Sequence, residues 1–271
     1  MPRKLVFSIL VTVICILSLS CGAISIQTSA GYYPPFIKAA QQGNIKEAQT
    51  LLQSGVLVNE KTIGNQTALH VAAAEGQDEM VRWLLAHEAN PLAQDQNGKT
   101  PADYAKSQGH PQTGQIILDY IQLLKDEQQA INTGDIGALQ RLLSQDGREY
   151  TVLHIMVEIG STQRVADEIS AGANVNARTL NGITPLHKCV VSRKIEICQL
   201  LLNAGADVNA RDIYNNTPLY YAISFGNKDM VKLFLDSGAD PSIRSIWGNE
   251  TALDFAKREG DAEIIALLEQ K

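Results

Sequence analysis

Residues 181–190 read NGITPLHKCV, and the histidine and cysteine in this stretch invite a catalytic or a metal-site interpretation. Its core, Thr-Pro-Leu-His from Thr184, decides the matter because variants of it recur along the chain. Within two runs the variants are spaced 33 or 34 residues apart, and they begin at Thr67, Thr100, Thr151, Thr217 and Thr251. A fixed period of this length is the sequence signature of a stacked repeat protein.

Each recurrence predicts the start of a short helix. Thr184 carries a hydroxyl that can cap the helix N-terminus, and Pro185 suits the first helical position, where no backbone N–H is needed. Leu186, Cys189 and Val190 then fall on one face of this first helix. A second helix follows with a matching apolar stripe, formed by Ile197, Cys198, Leu201 and Leu202. The pattern predicts helix pairs that bury their apolar faces against each other.

A second element keeps the same phase, with Gly-Ala-Asn-Val-Asn-Ala at 172–177 and Gly-Ala-Asp-Val-Asn-Ala at 205–210. Together the two elements resemble ankyrin repeats, from residue 36 to the C-terminus. The resemblance implies an all-α solenoid of stacked helix-turn-helix units with short β-hairpin loops. It also implies that His187, with His70 and His154, hydrogen-bonds the threonine hydroxyl and the neighbouring hairpin. These histidines are therefore predicted to be structural.

The two cysteines of this repeat, Cys189 and Cys198, stand at family positions that are small or aliphatic, on facing helices. Two interpretations stay open for them. They pack as buried thiols, or they form a disulfide in an oxidising compartment.

Glycines follow most of the first helices, where a left-handed residue ends a helix without strain; examples are Gly160, Gly226 and Gly260. Arg193 stands at this place in the repeat that begins at Thr184. The sequence therefore predicts a less regular end for that helix.

The repeat phase fails once, in the stretch that follows Gly109. On either side, the chain has its own polar opening helix and its own closing repeat, in which Asp103 or Asp254 replaces the histidine. We therefore predict two ankyrin blocks, residues 36–124 and 125–271.

The N-terminus has the composition of an export signal in residues 1–20, where Arg3 and Lys4 precede an apolar run. This run is shorter than the roughly 20 residues that a membrane-spanning helix needs. Residues 17–22 resemble a bacterial lipobox, which predicts lipidation at Cys21 and a tether at 21–35, although Ser18 departs from the usual leucine. Cleavage near Ala23 or Ala30 and a retained anchor are the alternatives.

Composition and charge narrow the function. The chain has 271 residues, 45% of them hydrophobic, and a net charge of -6, which argues against a nucleic-acid partner. The sequence has no metal-ligand spacing, phosphate loop, dinucleotide fingerprint or nucleophile elbow. We therefore predict no enzyme, no cofactor and no small-molecule substrate. The enzymatic alternative is a site in residues 109–146, built from His110, Asp119, Asp126 and Glu127.

Large apolar residues stand where ankyrin proteins contact their partners. They are Leu180, Ile213, Tyr214, Ile246 and Trp247 at the hairpin tips, and Tyr221, Phe225 and Phe255 on the first helices. Such a patch predicts a protein partner. The alternative is that Tyr221 and Phe225 pack between neighbouring repeats.

The predicted function is a non-catalytic protein-binding scaffold, exported and anchored through lipid at Cys21 in the periplasm or at the outer membrane. The alternative is a secreted effector or toxin-neutralising factor that binds a host or competitor protein. A cleaved signal without acylation would distinguish the alternative.

Overall fold

The computed structural model describes residues 33–145, 147–246 and 248–270. Throughout these residues the regular secondary structure is helical, without a β-strand. The helices are α1 (Pro35–Gln41), α2 (Ile45–Gln53), α3 (Ala68–Ala74), α4 (Asp78–Ala86), α5 (Pro101–Ser107), α6 (Pro111–Thr133), α7 (Ile136–Leu143), α8 (Val152–Glu158), α9 (Thr162–Ser170), α10 (Pro185–Ser192), α11 (Ile195–Asn203), α12 (Pro218–Ser224), α13 (Lys228–Asp236), α14 (Ala252–Glu259) and α15 (Ala262–Glu269). The predicted all-α class is confirmed.

The chain forms two compact units, Cys21–Arg148 and Glu149–Lys271, here called the N-terminal and C-terminal units. The division between the units follows Arg148. A buried ion pair lies on the N-terminal side of this division. Arg148 Nη2 donates to both carboxylate oxygens of Glu127 on α6 at 2.7 Å. This contact holds the segment after α7 to the N-terminal unit, because separating a buried pair exposes an uncompensated charge.

Within each unit, helices of the same kind lie side by side. In the N-terminal unit the first helices α1, α3 and α5 pack in sequence, and in the C-terminal unit α8, α10, α12 and α14 do so. The second helices α9, α11, α13 and α15 form a parallel row in the C-terminal unit. Each unit therefore has the predicted stacking of helix pairs.

The helix starts follow the threonine frame. Thr184 is the N-cap of α10 and Pro185 is its first residue, as predicted. Leu186, Cys189 and Val190 are fully buried. Equivalent caps start α3, α5, α8, α12 and α14, at Thr67, Thr100, Thr151, Thr217 and Thr251. The cap residue thus sets where each first helix begins, and the period of the caps sets the period of the fold.

The histidine three residues after the cap bridges two repeats wherever it occurs, at His70, His154 and His187. Thr184 N–H donates to His187 Nδ1 at 3.2 Å, so Nδ1 carries no proton and the Nε2–H donates to the Asn216 carbonyl at 3.2 Å. His70 and His154 contact carbonyl oxygens of the following hairpin in the same way, at 3.1 Å from Lys99 and Ile183. The structural interpretation of these histidines is confirmed.

The end of α10 corrects one prediction. Arg193 takes the left-handed conformation, with φ 53°, so the helix ends in the same manner as the helices that end at glycine. A side chain in this region costs about 1–2 kcal/mol. The sequence pattern predicts a less regular end because a residue with a side chain is strained in this conformation, yet Arg193 adopts it.

Cys189 on α10 and Cys198 on α11 form a disulfide in the structure, with their Cα atoms 5.4 Å apart. This separation lies in the usual range for disulfides. Both residues are fully buried between the two helices of one repeat. The bond therefore links the two helices of a single helix pair.

We expect His187→Ala to lower the free energy of unfolding by about 2–4 kcal/mol, because it removes a buried ring and leaves the Asn216 carbonyl without its donor. Burial lowers the pKa of His187 to about 3, whereas histidine in an unfolded chain titrates near 6.5. The folded protein therefore holds this residue neutral, and its stabilising effect is complete above about pH 6.5 and is lost as the pH falls towards 3.

Urea unfolding at pH 7.5 and at pH 5.0 checks this prediction. The difference between wild type and variant should shrink by about 2 kcal/mol at the lower pH, because only the wild type has to exclude a proton. An equal difference at both pH values would contradict the buried neutral imidazole.

Candidate protein-interaction surface

The loops between helix pairs are hairpins, each closed by a backbone hydrogen bond. Asp212 N–H donates to the Asn216 carbonyl at 3.0 Å, and Asn215 lies in the left-handed region with φ 61°. Bonds of the same length close the neighbouring hairpins, from Thr179 to Ile183 and from Ser245 to Glu250. A left-handed residue permits so tight a reversal, and asparagine and glycine adopt it most readily.

Neighbouring hairpins of the C-terminal unit are joined edge to edge. Ile213 N–H donates to the Asn181 carbonyl, and Ile246 N–H donates to the Tyr214 carbonyl, both at 3.0 Å. The three hairpins therefore hold their tips in one row. We call Leu180, Ile213, Tyr214 and Ile246 the tip surface.

The tip surface retains solvent exposure. Ile246 is 37% exposed, and Leu180, Ile213 and Tyr214 are half-buried. Phe225, which ends α12, is half-buried as well. Trp247 lies outside the described residues, as does Cys21. Four of the predicted contact residues thus lie together in one row, where they remain candidates for partner contact.

Tyr221 and Phe255 were predicted on this surface, and that prediction is wrong. Tyr221 is only 6% exposed, and its hydroxyl donates to the carboxylate of Asp212 at 2.9 Å. Phe255 is 2% exposed, because it lies between the ring of Tyr220 at 4.3 Å and the guanidinium of Arg258 at 4.8 Å. Both rings pack between repeats, which was the alternative for Tyr221.

Asp212 fixes the conformation of its hairpin through a hydrogen-bond network that the sequence did not predict. Its Oδ1 accepts the N–H groups of Tyr214 and Asn216 at 2.8 Å, and its Oδ2 accepts the Tyr221 hydroxyl. Burial raises the pKa of Asp212 to about 6, although these donors act against the rise. The carboxylate therefore fixes the backbone conformation of the hairpin tip from its buried side.

The N-terminal unit repeats this network. Asp95 accepts the N–H groups of Asn97 and Lys99 at 2.8 Å and the hydroxyl of Tyr104 at 2.8 Å. In both units the tyrosine follows the aspartate by nine residues. That constant spacing was the signal in the sequence, and it indicates structure rather than catalysis.

The residues of the enzymatic alternative do not converge. Asp119 and Asp126 lie along α6, where they accept hydrogen bonds from Gln115 and Gln122 one helical turn away. Glu127 is engaged by Arg148. Among the described residues, histidine, cysteine, aspartate and glutamate side chains form no group of three or more that could hold a metal ion.

None of the described helices combines the length and the apolar character needed to cross a membrane.

We expect Asp212→Asn to change the pH dependence of stability. The folded-state pKa of about 6 lies above the unfolded value near 3.9, so the folded state holds the proton more tightly. The aspartate therefore lowers the stability progressively as the pH rises from about 4 to 6, by up to about 3 kcal/mol. Asparagine keeps the Oδ1 acceptor and does not titrate.

Thermal and urea unfolding between pH 4 and pH 7.5 check this. The variant should match the wild type near pH 4 and become the more stable protein near neutral pH. Tyr221→Phe is the matched variant, because it removes one donor to the carboxylate and should steepen the wild-type dependence. Parallel pH profiles for all three proteins would refute the raised pKa.

Comparison with known proteins agrees with this architecture. A family model described as "Ankyrin repeats (3 copies)" matches residues 19–127, 128–212 and 153–245. Rabankyrin-5 of Mus musculus is 30% identical over 200 residues, which cover 61% of this chain and 17% of that protein. The probable E3 ubiquitin-protein ligase XBOS32 of Oryza sativa subsp. japonica is 28% identical over 178 residues, or 65% of this chain and 32% of that protein.

The chain thus spans less than two thirds of each of these two relatives. Among solved structures, the ankyrin repeat domain of Bcl-3, a unique member of the IkappaB protein family, is 27% identical and matches 88% of this chain and 98% of that one with a TM-score of 0.42. The family model covers most of the sequence and coincides with the threonine caps, bridging histidines and paired helices. The chain belongs to the ankyrin-repeat family.

Proposed function

We propose that this protein is an exported, non-catalytic scaffold that binds a protein partner through the tip surface of its C-terminal unit. One observation carries the proposal. Leu180, Ile213 and Ile246 recur at one position of the repeat and keep their apolar side chains partly in solvent. Apolar groups held in a row at the surface are typical of protein interfaces.

Ankyrin repeats typically mediate protein–protein interaction, and the geometry of the hairpins suits this role. The tip backbone is fixed by the Asp212 carboxylate and by the hydrogen bonds that join neighbouring hairpins. A surface that is already ordered loses little conformational entropy on binding. The hydrogen bonds therefore order the tip backbone before a partner binds.

Export rests on the sequence of residues 1–20, with its basic start and apolar run. The Cys189–Cys198 disulfide supports an oxidising compartment, because such bonds persist outside the reducing cytosol. Acylation of Cys21 would anchor the scaffold to a membrane through residues 22–35, in the periplasm or at the outer membrane. The alternative remains a secreted effector or toxin-neutralising factor whose signal is cleaved without acylation.

Ile213→Gln combined with Ile246→Gln should reduce partner capture by about tenfold or more, because the change removes the apolar anchors of the interface. The measurement is a crosslinking pull-down from the native envelope, quantified by mass spectrometry. The thermal midpoint should shift little, because both side chains are partly in solvent.

Ile195→Gln is the matched control for this experiment. Ile195 is 36% exposed, close to Ile246, but it begins α11 and lies outside the tip surface. It should leave capture unchanged. Equal capture by wild type and the double variant would refute the tip surface as the binding site.

Cys21→Ser should abolish incorporation of a labelled fatty acid and move the protein from the membrane fraction to the soluble fraction. In-gel fluorescence after labelling with an alkyne fatty acid measures the incorporation, and fractionation of the cells measures the change of location. Undiminished labelling of the variant would contradict the lipid anchor. Unlabelled wild type with a mature N-terminus near Ala23 or Ala30 would favour the secreted alternative.

A further inference from the structure

Two kinds of side chain recur together on the hairpins of the C-terminal unit. Arginine occurs at Arg178, Arg211 and Arg244, spaced 33 residues apart, and an aliphatic residue follows each arginine by two positions. The aliphatic residues are Leu180, Ile213 and Ile246 of the tip surface. The sequence therefore contains the Arg-x-aliphatic triplet three times, at the same position of three successive repeats.

The structure shows that each triplet presents its two ends outward. The middle residues, Thr179, Asp212 and Ser245, are buried at 4%, 6% and 1% exposure. The three arginines are exposed. Alternation of buried and exposed residues is the property of an extended segment, in which residues two apart point to the same side. Each arginine therefore lies on the same side of the chain as its aliphatic partner.

The charge on these hairpins opposes that of the whole chain. Residues 178–183, 211–216 and 244–250 contain three arginines and two acids, Asp212 and Glu250. Asp212 is buried beneath its hairpin and Glu250 pairs with Arg258, whereas the chain as a whole carries a net charge of -6. The hairpin row is thus a local basic stripe on an acidic protein.

The arginines are partly used to brace the hairpins. Arg178 donates to the Arg211 carbonyl, Arg211 contacts the Asn215 side chain at 3.5 Å, and Arg244 donates to the Asn249 carbonyl at 2.5 Å. Arg244 also lies 3.9 Å from a carboxylate oxygen of Asp254. A guanidinium has five N–H donors, so these contacts fix its orientation and leave further donors for a ligand.

From this arrangement we infer that the row of Arg-x-aliphatic triplets binds an acidic, extended peptide segment of its partner, in which carboxylates alternate with apolar residues. The inference rests on the proposed function and names the chemistry of the partner. Guanidinium groups pair with carboxylates in a directional, charge-assisted manner, and the tip surface receives the apolar residues between them. Along the row the arginines recur at one position of the repeat and the aliphatic residues at another. An extended peptide likewise carries its carboxylates on one side and its apolar residues on the other.

The N-terminal unit provides an internal comparison. Its hairpins carry Lys61 and Ile63 at the two outward positions of one triplet, and Gln94 and Gln96 at those of the next. Asp95 between the glutamines is buried at 6% exposure, so the alternation is the same. The frame therefore accepts uncharged polar residues at both outward positions, and the arginines of the C-terminal unit are not required by the hairpin geometry.

The test uses two synthetic, fluorescein-labelled peptides and the full chain. One peptide alternates glutamate with valine, and its twin has glutamine for every glutamate. Fluorescence anisotropy should give at least about tenfold tighter binding for the glutamate peptide at low ionic strength, and this preference should decline as added salt screens the charges.

Arg211→Gln combined with Arg244→Gln should reduce the preference for the glutamate peptide to about twofold or less, because the charge partners are gone. The corresponding double lysine variant should retain part of the preference, and Lys61→Gln, the matched change in the N-terminal unit, should retain all of it. Thermal unfolding of each variant shows whether the hairpins stay folded, and the lysine variant decides the matter if the glutamine variant unfolds.

Equal binding of the two peptides, binding of neither, or a preference that survives the glutamine variant would overturn the inference. These results are distinguishable from failure of the proposed function. If Ile213→Gln with Ile246→Gln still prevents capture of the native partner, the scaffold stands and its partner is not acidic. If that variant captures normally, the tip surface itself is wrong.

Discussion

The three repeats that begin at Thr67, Thr151 and Thr184 depend on one buried interaction, the neutral imidazole that joins the first helix to the hairpin of the next repeat. His187 accepts from Thr184 N–H through Nδ1 and donates to the Asn216 carbonyl through Nε2. Because each nitrogen has a fixed role, the ring permits one register between the helix start and the following hairpin. Full burial maintains these roles by lowering the pKa of His187 to about 3.

The bridge fixes the register of the hairpin without using the side chains at its outward positions. Along each hairpin of the C-terminal unit the middle residue of the triplet is buried and its two neighbours are exposed or half-buried, as at Arg211, Asp212 and Ile213. In the N-terminal unit the bridge from His70 to the Lys99 carbonyl forms in a hairpin that has glutamine at both outward positions. The middle residue of the triplet thus serves the fold, and the outward residues are those proposed to contact a partner.

The sequence predicted the features that depend on local geometry. The cap at Thr184 and the apolar stripes were correct because they require only the residues within one helix pair. The exposure of Tyr221 and Phe255 was predicted wrongly, because burial depends on what packs opposite. Tyr221 is held inward by Asp212, and Phe255 is covered by the ring of Tyr220 from the neighbouring repeat and by the guanidinium of Arg258 on its own helix. The repeat period alone does not reveal the contact between repeats, although the nine-residue spacing of Asp212 and Tyr221 is visible in the sequence.

The stretch between the two units contains a contact that the repeat phase does not reveal. The phase fails after Gly109, which predicts two blocks that divide at residue 124. The buried pair of Glu127 and Arg148 joins α6 to the segment after α7, because separating two desolvated charges leaves each of them uncompensated. At the tips, Arg178, Arg211 and Arg244 keep the repeat phase and brace the hairpins through hydrogen bonds. A hairpin of the N-terminal unit forms with glutamine at both outward positions, so the proposed acidic ligand accounts for the charge of the arginines and not for the fold.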